Sequence, residues 1–234
     1  ITEELGIEYE SIKFLSSAKS AGTELEFQGK KYTVEEATPE SFDGVDIVLA
    51  SAGGGTSKKF APEIVKRGGV IIDNSSAFRM DKDVPLVIAS VNDDDLKNHK
   101  GIIANPNCST SQLMLVLKPL HEKAKIKRLI VSTYQAVSGA GKNGIDELRQ
   151  DVDAYLNGKE FENKVFKKPI SFNVIPQIDV FDENGYTKEE LKVVNETKKI
   201  LHLAEETPIS CTAVRVPVFT GRDHRPLFWG RDRY

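Results

Sequence analysis

Cys108 is the residue of this sequence whose type and position best suit covalent chemistry. It lies in the segment Asn-Pro-Asn-Cys-Ser-Thr (105–110), between a predicted strand and a predicted helix. The free N–H groups and positive dipole end of a helix N-terminus stabilise a thiolate, the nucleophilic form of cysteine. From these residues alone, Cys108 has two open roles: it is a nucleophile, or it is a buried structural cysteine. Cys211, inside a predicted strand, is predicted to be structural.

Three small polar loops could bind phosphate groups. Ser-Ala-Gly-Gly-Gly-Thr (51–56) follows a predicted strand, and Ser-Gly-Ala-Gly (138–141) precedes a predicted helix. Glycines let the backbone approach an anion, and a helix start offers N–H groups. Neither loop is a P-loop or a GxGxxG fingerprint, so a flexible turn explains each equally well. The turn at 16–22 carries one lysine and could meet a 2′-phosphate, although by itself it fits a surface turn better.

Charged side chains at or near strand ends are candidates for anion binding. Arg79 and Arg215 are isolated arginines in a lysine-rich chain, which favours bidentate recognition of an anion. A structural salt bridge is the alternative for each. Glu189 and Lys192 lie three residues apart on a predicted helix and share a face, as many solvated pairs do. The four histidines lack the spacing of a metal site, so we predict no metal centre.

The predicted elements place these residues on two domains. Alternating strand and helix signals over 1–107 predict a partial doubly wound, Rossmann-like α/β domain, in which ligands bind at the carboxyl ends of strands. Its strands are predicted at 46–50, 70–72, 86–89 and 102–104, with a helix over 56–66 that Thr56 caps.

The helix and strand patterns over residues 108–221 predict an α+β domain. Residues 222–234 form an atypical tail with four arginines and no lysine. We expect Leu113, Leu117 and Leu120 to lie on one side of its first helix. Thr187 and Glu190 have the spacing of a capping box. Helices are predicted over 109–123, 143–156 and 187–201, and strands over 128–136, 171–178 and 210–219.

Composition excludes several classes of protein. The chain has 234 residues, a formal net charge of −3, 39% hydrophobic and 29% charged residues, as ordinary globular proteins do. It lacks an apolar run of about 18–20 residues, so we expect no membrane span. Near-neutral charge argues against a nucleic-acid partner. Two cysteines cannot form a disulfide scaffold, which favours a reducing, cytoplasmic location.

Several motifs together resemble the aspartate-semialdehyde dehydrogenase family, in the form found in Gram-positive bacteria and their relatives. They are SAGGG, IIDNSSAFRM, IIANPNCSTSQ, STYQAVSGAG, FNVIPQIDVFDENGYTKEE, NETKKI and CTAVRVPVFTG, in this order between Phe14 and Gly221. The resemblance implies NADP-dependent interconversion of L-aspartate 4-semialdehyde and L-aspartyl 4-phosphate through a cysteine thioester, with inorganic phosphate. It also implies a place in lysine, methionine and threonine biosynthesis, and a homodimer formed through the second domain.

The resemblance assigns a role to each candidate residue. Cys108 is implied to be the nucleophile, and Gln135 to orient the substrate. Five residues are implied to bind substrate: Arg215 its carboxylate, Glu189 its amine, and Arg79, Asn107 and Lys192 the phosphate. Nine are implied to bind NADP: Ser16, Lys19 and Ser20 at the 2′-phosphate, and Ser51, Ala52, Gly53, Gly54, Ser138 and Gly139 along the cofactor groove.

The chain also departs from the family pattern. The family's glycine loop, Gly-Ala-Thr-Gly-x-Val-Gly, precedes the first residue here, and Arg222 stands where the family places a general-base histidine. His224 follows two residues later. We therefore expect a piece without the N-terminal glycine loop and the authentic C-terminal part. Because losing a general base costs about 10²–10⁴-fold in rate, we expect poor or absent turnover.

Other functions stay open at this point. N-acetyl-glutamyl-phosphate reductase has similar thioester chemistry, but its motif usually has glycine before the cysteine, where this chain has Asn107. A cysteine hydrolase needs a histidine near Cys108, and His121, 13 residues on, is poorly placed. A third possibility is a catalytically inactive piece that binds only an anion or a partner.

Overall fold

The chain divides into two compact units, the first ending at Asn107 and the second beginning at Cys108. The structure is a computed structural model that describes residues 6–221. The predictions for Arg222, His224 and the tail 222–234 fall outside the described residues. No helix in the described part of the chain is long and apolar enough to cross a membrane.

The first unit begins with two small strand pairs. Strands β1 (Leu15–Ser16) and β4 (Glu35–Glu36) pair in parallel, while β2 (Glu24–Phe27) and β3 (Lys30–Thr33) form an antiparallel hairpin. The sequence prediction missed this hairpin. Its turn, Gln28-Gly29, has positive φ at both residues, as tight hairpin turns require.

A parallel three-stranded sheet forms the centre of the first unit. Its strands β5 (Ile47–Ala50), β6 (Val70–Asp73) and β7 (Ile102–Ala104) lie side by side in that order. Helix α1 (Gly54–Lys66) connects β5 to β6, so the predicted βαβ element is confirmed. The predicted strand at 86–89 is reduced to a single bridge between Leu86 and Ala104.

Helix α1 packs one apolar face against this sheet. Phe60, Ala61 and Ile64 are buried together with Phe42 and with Ile71 of β6. Burying side chains of this size contributes about 1.5–3 kcal/mol each, so the face holds the helix on the sheet. The prediction that Thr56 caps α1 was wrong.

Up to residue 221, the second unit has three α-helices and one pair of parallel strands. Its elements are α2 (Cys108–Ala124), β8 (Leu129–Ala136), α3 (Gly141–Leu156), α4 (Lys188–Ile200) and β9 (Ile209–Val216). Strands β8 and β9 pair in parallel along their whole length. Together with the first unit, this confirms the predicted combination of a Rossmann-like α/β part and an α+β part.

The start of α4 is fixed by the predicted capping box. The Thr187 hydroxyl accepts the Glu190 N–H, and Glu190 Oε2 accepts the Thr187 N–H at 2.7 Å. The second carboxylate oxygen of Glu190 accepts the N–H of Ala213 in β9 at 3.0 Å. The Glu190 side chain therefore caps the start of the helix and ties it to the neighbouring strand.

Two predictions for the second unit were wrong. Helix α2 buries Thr110, Met114 and Leu117, whereas Leu120 is 55% exposed, so the buried face is rotated from the predicted leucine side. The segment 171–178 is not a strand; only Ile175 pairs, in an antiparallel bridge with Arg215. Pro176 lacks an N–H and cannot continue a strand ladder, which explains the interruption.

Two buried carboxylates on α3 hold the irregular segment 163–171. Glu147 accepts the N–H groups of residues 164, 165 and 166 at 2.6–2.9 Å, and the side-chain amide of Asn163 at 3.3 Å. Asp151 accepts the N–H groups of Ile170 and Ser171 at 2.8 and 2.9 Å. These bonds satisfy backbone groups that would otherwise be buried without partners. Ile170 then packs against Val137, Leu148 and Ile175.

Candidate active site

Cys108 is the first residue of helix α2, and it is exposed. Its sulfur therefore lies at the helix end where backbone N–H groups have no intrahelical acceptors. Cys108 lies near enough to Arg215 that a thiolate there opposes the lowering of the Arg215 pKa by burial. The cation of Arg215 therefore attracts anionic groups that approach Cys108.

Arg215 on β9 is buried, with 6% of its surface exposed, and its contacts hold it in a fixed position. Its Nη1 donates to the carbonyl of Ala136 at 2.7 Å, and its backbone pairs with Ile175. A Cβ added to Gly139 would lie 2.7 Å from Nη1, so only glycine leaves room for the guanidinium there. Burial lowers the pKa of Arg215, while the charges of Glu189 and Cys108 oppose that shift.

Gln135 lies beside Arg215 in the strand register and contacts helix α4. Its Nε2 donates to Oε1 of the buried Glu189 at 3.2 Å. Its Oε1 accepts the hydroxyl hydrogen of Thr133 at 2.9 Å. Because both ends of the side-chain amide are engaged, the amide is held in one orientation on the functional face of β8.

Lys192 lies on α4 one turn after Glu189, between the carboxylates of Glu189 and Asp179. Its Nζ is 3.0 Å from Oδ2 of Asp179 and 3.4 Å from Oε2 of Glu189. Burial opposes the charged form of Lys192, but both carboxylates raise its pKa above the ordinary value. Burial likewise opposes ionisation of Asp179, and the bonds from Lys192 and the Val180 N–H lower its pKa overall.

The second unit therefore joins a thiol, an amide, a carboxylate and two cations through contacts and charge coupling. They come from the start of α2, the end of β8, the first turns of α4 and the end of β9. The predicted residues Cys108, Gln135, Glu189, Lys192 and Arg215 all belong to this set. Such a set can supply a nucleophile, fix an ammonium on Glu189, and bind anions on Arg215 and Lys192.

Asp73 organises the loop that follows β6 in the first unit. Its fully buried carboxylate accepts the hydroxyls of Ser57 at 2.6 Å and Ser75 at 2.7 Å, and the Ser75 N–H at 3.0 Å. A buried carboxylate is tolerated only when it is hydrogen-bonded in this way. The bonds connect helix α1 to the loop that carries Arg79.

Arg79 is buried in the same loop and bonds to backbone carbonyls. Its Nε donates to the carbonyl of Asn105 at 2.8 Å, and its Nη2 donates to that of Asn74 at 2.9 Å. The side chain thus joins the segments after β6 and β7. Asn107 is also buried and precedes Cys108 directly in the chain. For both residues, phosphate binding stays a prediction.

The loop predicted to bind the cofactor runs from β5 into α1. Gly53 is the N-cap residue of α1, with φ of +87°, a conformation that residues with a Cβ rarely adopt. Ser51, which accepts a hydrogen bond from Asn74 at 3.4 Å, and Ala52 precede it. A Cβ on Gly54 would lie 3.7 Å from that of Ala77, an ordinary contact. The loop therefore leads into the N-terminus of α1, and anion binding there stays a prediction.

Two further groups of predicted cofactor residues lie in turns. Ser16 ends β1, and the exposed Lys19 and the half-buried Ser20 lie in the turn after it, where the Ser20 N–H donates to the Ser17 carbonyl at 2.9 Å. Ser138, with Gly139, lies in a single helical turn after β8. Within residues 6–221, no group of three or more His, Cys, Asp or Glu side chains is arranged to hold a metal ion.

Sequence reasoning missed three residues that support these sites. Thr133 orients Gln135 and could have been found, because residues two apart on a strand share a face. Asp73 directly follows the predicted strand at 70–72, and a carboxylate at a strand end is the signal that could have found it. Asp179 gives no local signal, since its partner Lys192 lies 13 residues away on α4.

Comparison with known proteins assigns a class to this fold and this set of residues. Residues 3–99 match the family model of the semialdehyde dehydrogenase NAD binding domain, and residues 117–224 match the semialdehyde dehydrogenase dimerisation domain. The chain belongs to the semialdehyde dehydrogenase family. The relatives to which it is similar over most of its length are named aspartate-semialdehyde dehydrogenases.

Curated relatives and solved structures of that name cover most of the chain. Aspartate-semialdehyde dehydrogenases of Bacillus subtilis and Aquifex aeolicus are 51% and 52% identical, over 94% of this chain and 65% and 66% of their own lengths. The crystal structure of aspartate semialdehyde dehydrogenase II from Vibrio cholerae has a TM-score of 0.88 and 45% identity, covering 93% of this chain and 65% of that chain. The chain thus spans slightly less than two thirds of its relatives.

Proposed function

We propose that this chain carries the cofactor-binding part and much of the catalytic part of an NADP-dependent aspartate-semialdehyde dehydrogenase. The proposed reaction interconverts L-aspartate 4-semialdehyde and L-aspartyl 4-phosphate. The observation that carries the proposal is the grouping of Gln135, Glu189, Lys192 and Arg215 with Cys108 in one unit. An amino acid with an acyl phosphate presents one ammonium, one carboxylate and one phosphate, and this set has a partner for each.

The proposed chemistry begins at the sulfur of Cys108. In the reductive direction the thiolate attacks the acyl carbon, the C–S bond forms, the C–O bond to phosphate breaks, and inorganic phosphate leaves. Arg215 holds the substrate carboxylate, and Glu189 holds its ammonium beside Gln135. Bound NADPH supplies the hydride that reduces the thioester, and release of the aldehyde regenerates the thiolate. In the oxidative direction phosphate is a substrate, so activity depends on it.

The first unit is the proposed NADP site. The match of residues 3–99 to an NAD binding domain supports it, as does a likeness to the Candida albicans aspartate semialdehyde dehydrogenase solved with NADP, with TM-score 0.65 and 26% identity. Gly53 and the N-terminus of α1 suit a phosphate. The proposed contacts are Ser16, Lys19 and Ser20 at the 2′-phosphate, with Ser51, Ala52, Gly53 and Gly54 along the groove. Ser138 and Gly139 are proposed cofactor contacts from the second unit.

We propose that the second unit forms a homodimer. The match of residues 117–224 to a dimerisation domain supports this. Strand β8 adds a physical reason, because its outward-facing Ile130 and Tyr134 are 65% and 75% exposed. Large apolar side chains exposed on one strand face favour association. We propose a cytoplasmic location, where a free thiol stays reduced.

The alternative functions are less well supported. The curated relatives at about half identity are named aspartate-semialdehyde dehydrogenases, which does not favour an N-acetyl-glutamyl-phosphate reductase. A structure of the Vibrio cholerae enzyme complexed with ASA, at 44% identity, favours the same substrate. A cysteine hydrolase lacks support, because His121 lies about 20 Å along α2 from Cys108. Its Nδ1 accepts the Ile126 N–H at 3.2 Å.

The test of the proposed function is covalent capture of the substrate. The 234-residue chain is incubated with L-aspartate 4-semialdehyde and NADP without phosphate, and the acyl adduct is located by peptide mass spectrometry. We expect one slow turnover, in which one NADPH forms with each acyl adduct on Cys108 and added phosphate then removes the adduct. The Cys108→Ser variant should form none, whereas Cys211→Ala, which changes the buried cysteine, should behave as the original chain. An acyl adduct that forms without NADP, or equally in Cys108→Ser, contradicts the proposal.

A further inference from the structure

Asp179 forms the shorter of the two contacts that Lys192 makes with carboxylates. Its Oδ2 is 3.0 Å from Nζ of Lys192, whereas Oε2 of Glu189 is 3.4 Å away. The Lys192 side chain is 29% exposed and that of Glu189 only 7%. Asp179 thus draws the Lys192 ammonium toward one side of the Glu189 carboxylate, which we assign to the substrate amine.

The backbone around Asp179 fixes the position of its carboxylate. Asp179 has φ of +69°, a conformation that aspartate tolerates better than most residues. Its Oδ1 accepts the Val180 N–H at 2.9 Å, which leaves Oδ2 directed at Lys192. The Val180 carbonyl in turn accepts the N–H of Lys188, the first residue of α4, at 2.9 Å. The carboxylate is therefore anchored to the helix that carries its partner.

We propose that Asp179 is a positioning residue that holds the Lys192 ammonium in place for an incoming phosphate group. This inference rests on the proposed function, which assigns Lys192 to phosphate. An ammonium has three N–H donors, and Asp179 and Glu189 take two of them. The third has no acceptor in the part of the chain that the structure describes, so its direction is set by the other two.

The geometry explains why a lysine needs this support. A lysine side chain has four rotatable carbons and loses rotamer entropy when it is ordered. With Glu189 as its sole partner, Lys192 would be drawn onto the carboxylate that must bind the substrate ammonium. Asp179 shares Nζ with that carboxylate and forms the shorter contact, so the ammonium is ordered in advance of binding and phosphate meets an ordered donor.

The acceptor oxygen of Asp179 holds the Lys192 ammonium, whereas the negative charge of Asp179 repels phosphate. Substitutions can separate the effect of the oxygen from the effect of the charge. Asp179→Asn keeps an oxygen for Lys192 and removes the charge, whereas Asp179→Ala removes both. A role in charge alone predicts that both variants behave alike, and a positioning role predicts that asparagine rescues the loss.

The test measures binding of inorganic phosphate to the 234-residue chain by titration calorimetry. We expect Lys192→Ala to weaken binding, and Asp179→Ala to weaken it about tenfold, the cost of losing a hydrogen bond to a charged group. Asp179→Asn should stay within about threefold of the original chain. In the Lys192→Ala background, Asp179→Ala should have no further effect, because residues that act through one another are not additive. An additive loss overturns the positioning role.

A second readout examines the Lys192 amine directly. Competitive acetylation, quantified by peptide mass spectrometry, should label Lys192 on the order of fivefold faster in Asp179→Ala than in the original chain. The matched control is Asp94→Ala, which removes the carboxylate 2.6 Å from Lys97 in a fully exposed pair. Labelling of Lys97 should change little, because solvent already competes with that pair.

The outcomes separate this inference from the proposed function. If Lys192→Ala weakens phosphate binding and Asp179→Ala does not, the positioning role alone is overturned. If neither substitution affects phosphate binding, the assignment of Lys192 to phosphate fails, and the positioning role fails with it. Thermal unfolding of each variant shows whether a loss reflects misfolding, and Asp179→Asn provides the folded comparison should Asp179→Ala unfold.

Discussion

Gln135 of β8 donates a hydrogen bond to Glu189 of α4 across 54 residues of sequence. Glu189 is buried, and its other carboxylate oxygen meets Lys192. Gln135 is also the register partner of Arg215, whose pKa the charge of Glu189 raises against the effect of burial. One strand pair and one helix face therefore fix the four side chains that we propose to surround the substrate.

Replacing Gln135 by glutamate should destabilise the second unit in a pH-dependent way. The substitution places a second carboxylate about 3 Å from Glu189, and two carboxylates at that distance cannot both ionise without a large cost. We expect Gln135→Glu to lose about 2 kcal/mol in the free energy of unfolding at pH 8. The loss should shrink at pH 4, where one proton is shared. Urea unfolding at both pH values measures it.

The control for this prediction is Gln135→Met, which keeps the length of the side chain and adds no charge. Its cost should be nearly the same at pH 4 and pH 8. If Gln135→Glu shows no larger pH dependence than the methionine variant, the contact between Gln135 and Glu189 does not hold in solution.

Gly139→Ala should displace the guanidinium of Arg215. The added Cβ would lie 2.7 Å from Nη1, closer than real contacts allow, so the side chain must leave the carbonyl of Ala136. Because Arg215 attracts anions near Cys108, we expect the alkylation rate of Cys108 by iodoacetate, relative to neutral iodoacetamide, to fall about fivefold. The ratio removes any change in the intrinsic reactivity of the thiol.

Gly55→Ala is the matched control for this substitution. No atom lies within 4 Å of a Cβ at Gly55, which is in the first turn of α1. Alanine there should be neutral or stabilise the chain by up to about 1 kcal/mol and leave the alkylation ratio unchanged. An unchanged ratio in Gly139→Ala as well would show that Arg215 does not act on Cys108.

Glu147 should make the free energy of unfolding depend on pH in the acidic range. Burial opposes its ionisation, but N–H groups of residues 164–166 outweigh burial and lower its pKa in the folded state. A lowered pKa adds stability above the unfolded value of about 4.3, and this stability is lost as the pH falls through the folded value. We expect Glu147→Gln to cost about 2–3 kcal/mol at pH 7 and less at pH 3. Urea unfolding across this range measures the difference.

Asp146→Asn is the control on the same helix, because Asp146 pairs with Arg149 at 3.7 Å on a more exposed face. Its cost should stay below about 1 kcal/mol at every pH. Equal costs for Glu147→Gln at pH 7 and pH 3 would contradict the role of the carboxylate charge in holding the 163–171 segment.

The two cysteines should differ sharply toward alkylating reagents. Burial, together with the charges of Glu190 and Glu189, raises the pKa of Cys211 to about 11. At pH 8 only about one thiol in a thousand is then ionised, whereas Cys108 is exposed at a helix N-terminus. We expect iodoacetamide to modify one cysteine in the folded chain and two in concentrated denaturant. Mass spectrometry that finds Cys211 modified first would contradict this.

The sequence predicted the local elements well where one segment carried the whole signal. The capping box of Thr187 and Glu190 depends on residues three apart, so it could be predicted and was confirmed. Strand β8 and the βαβ element around α1 followed from short apolar runs bounded by glycine and polar residues. The buried face of α2 could not be predicted, because Leu120 and Met114 are similar in hydrophobicity and packing alone chose between them.

The sequence by itself determined the family, the candidate residues and their types, because order and spacing of motifs are properties of the chain. The tertiary structure decided which of these side chains bond to one another. Gln135 reaches Glu189, Arg215 needs the space at Gly139, and Lys192 is shared with Asp179. Such contacts join residues far apart in the chain, and their energy depends on distance and burial, which only the folded backbone sets.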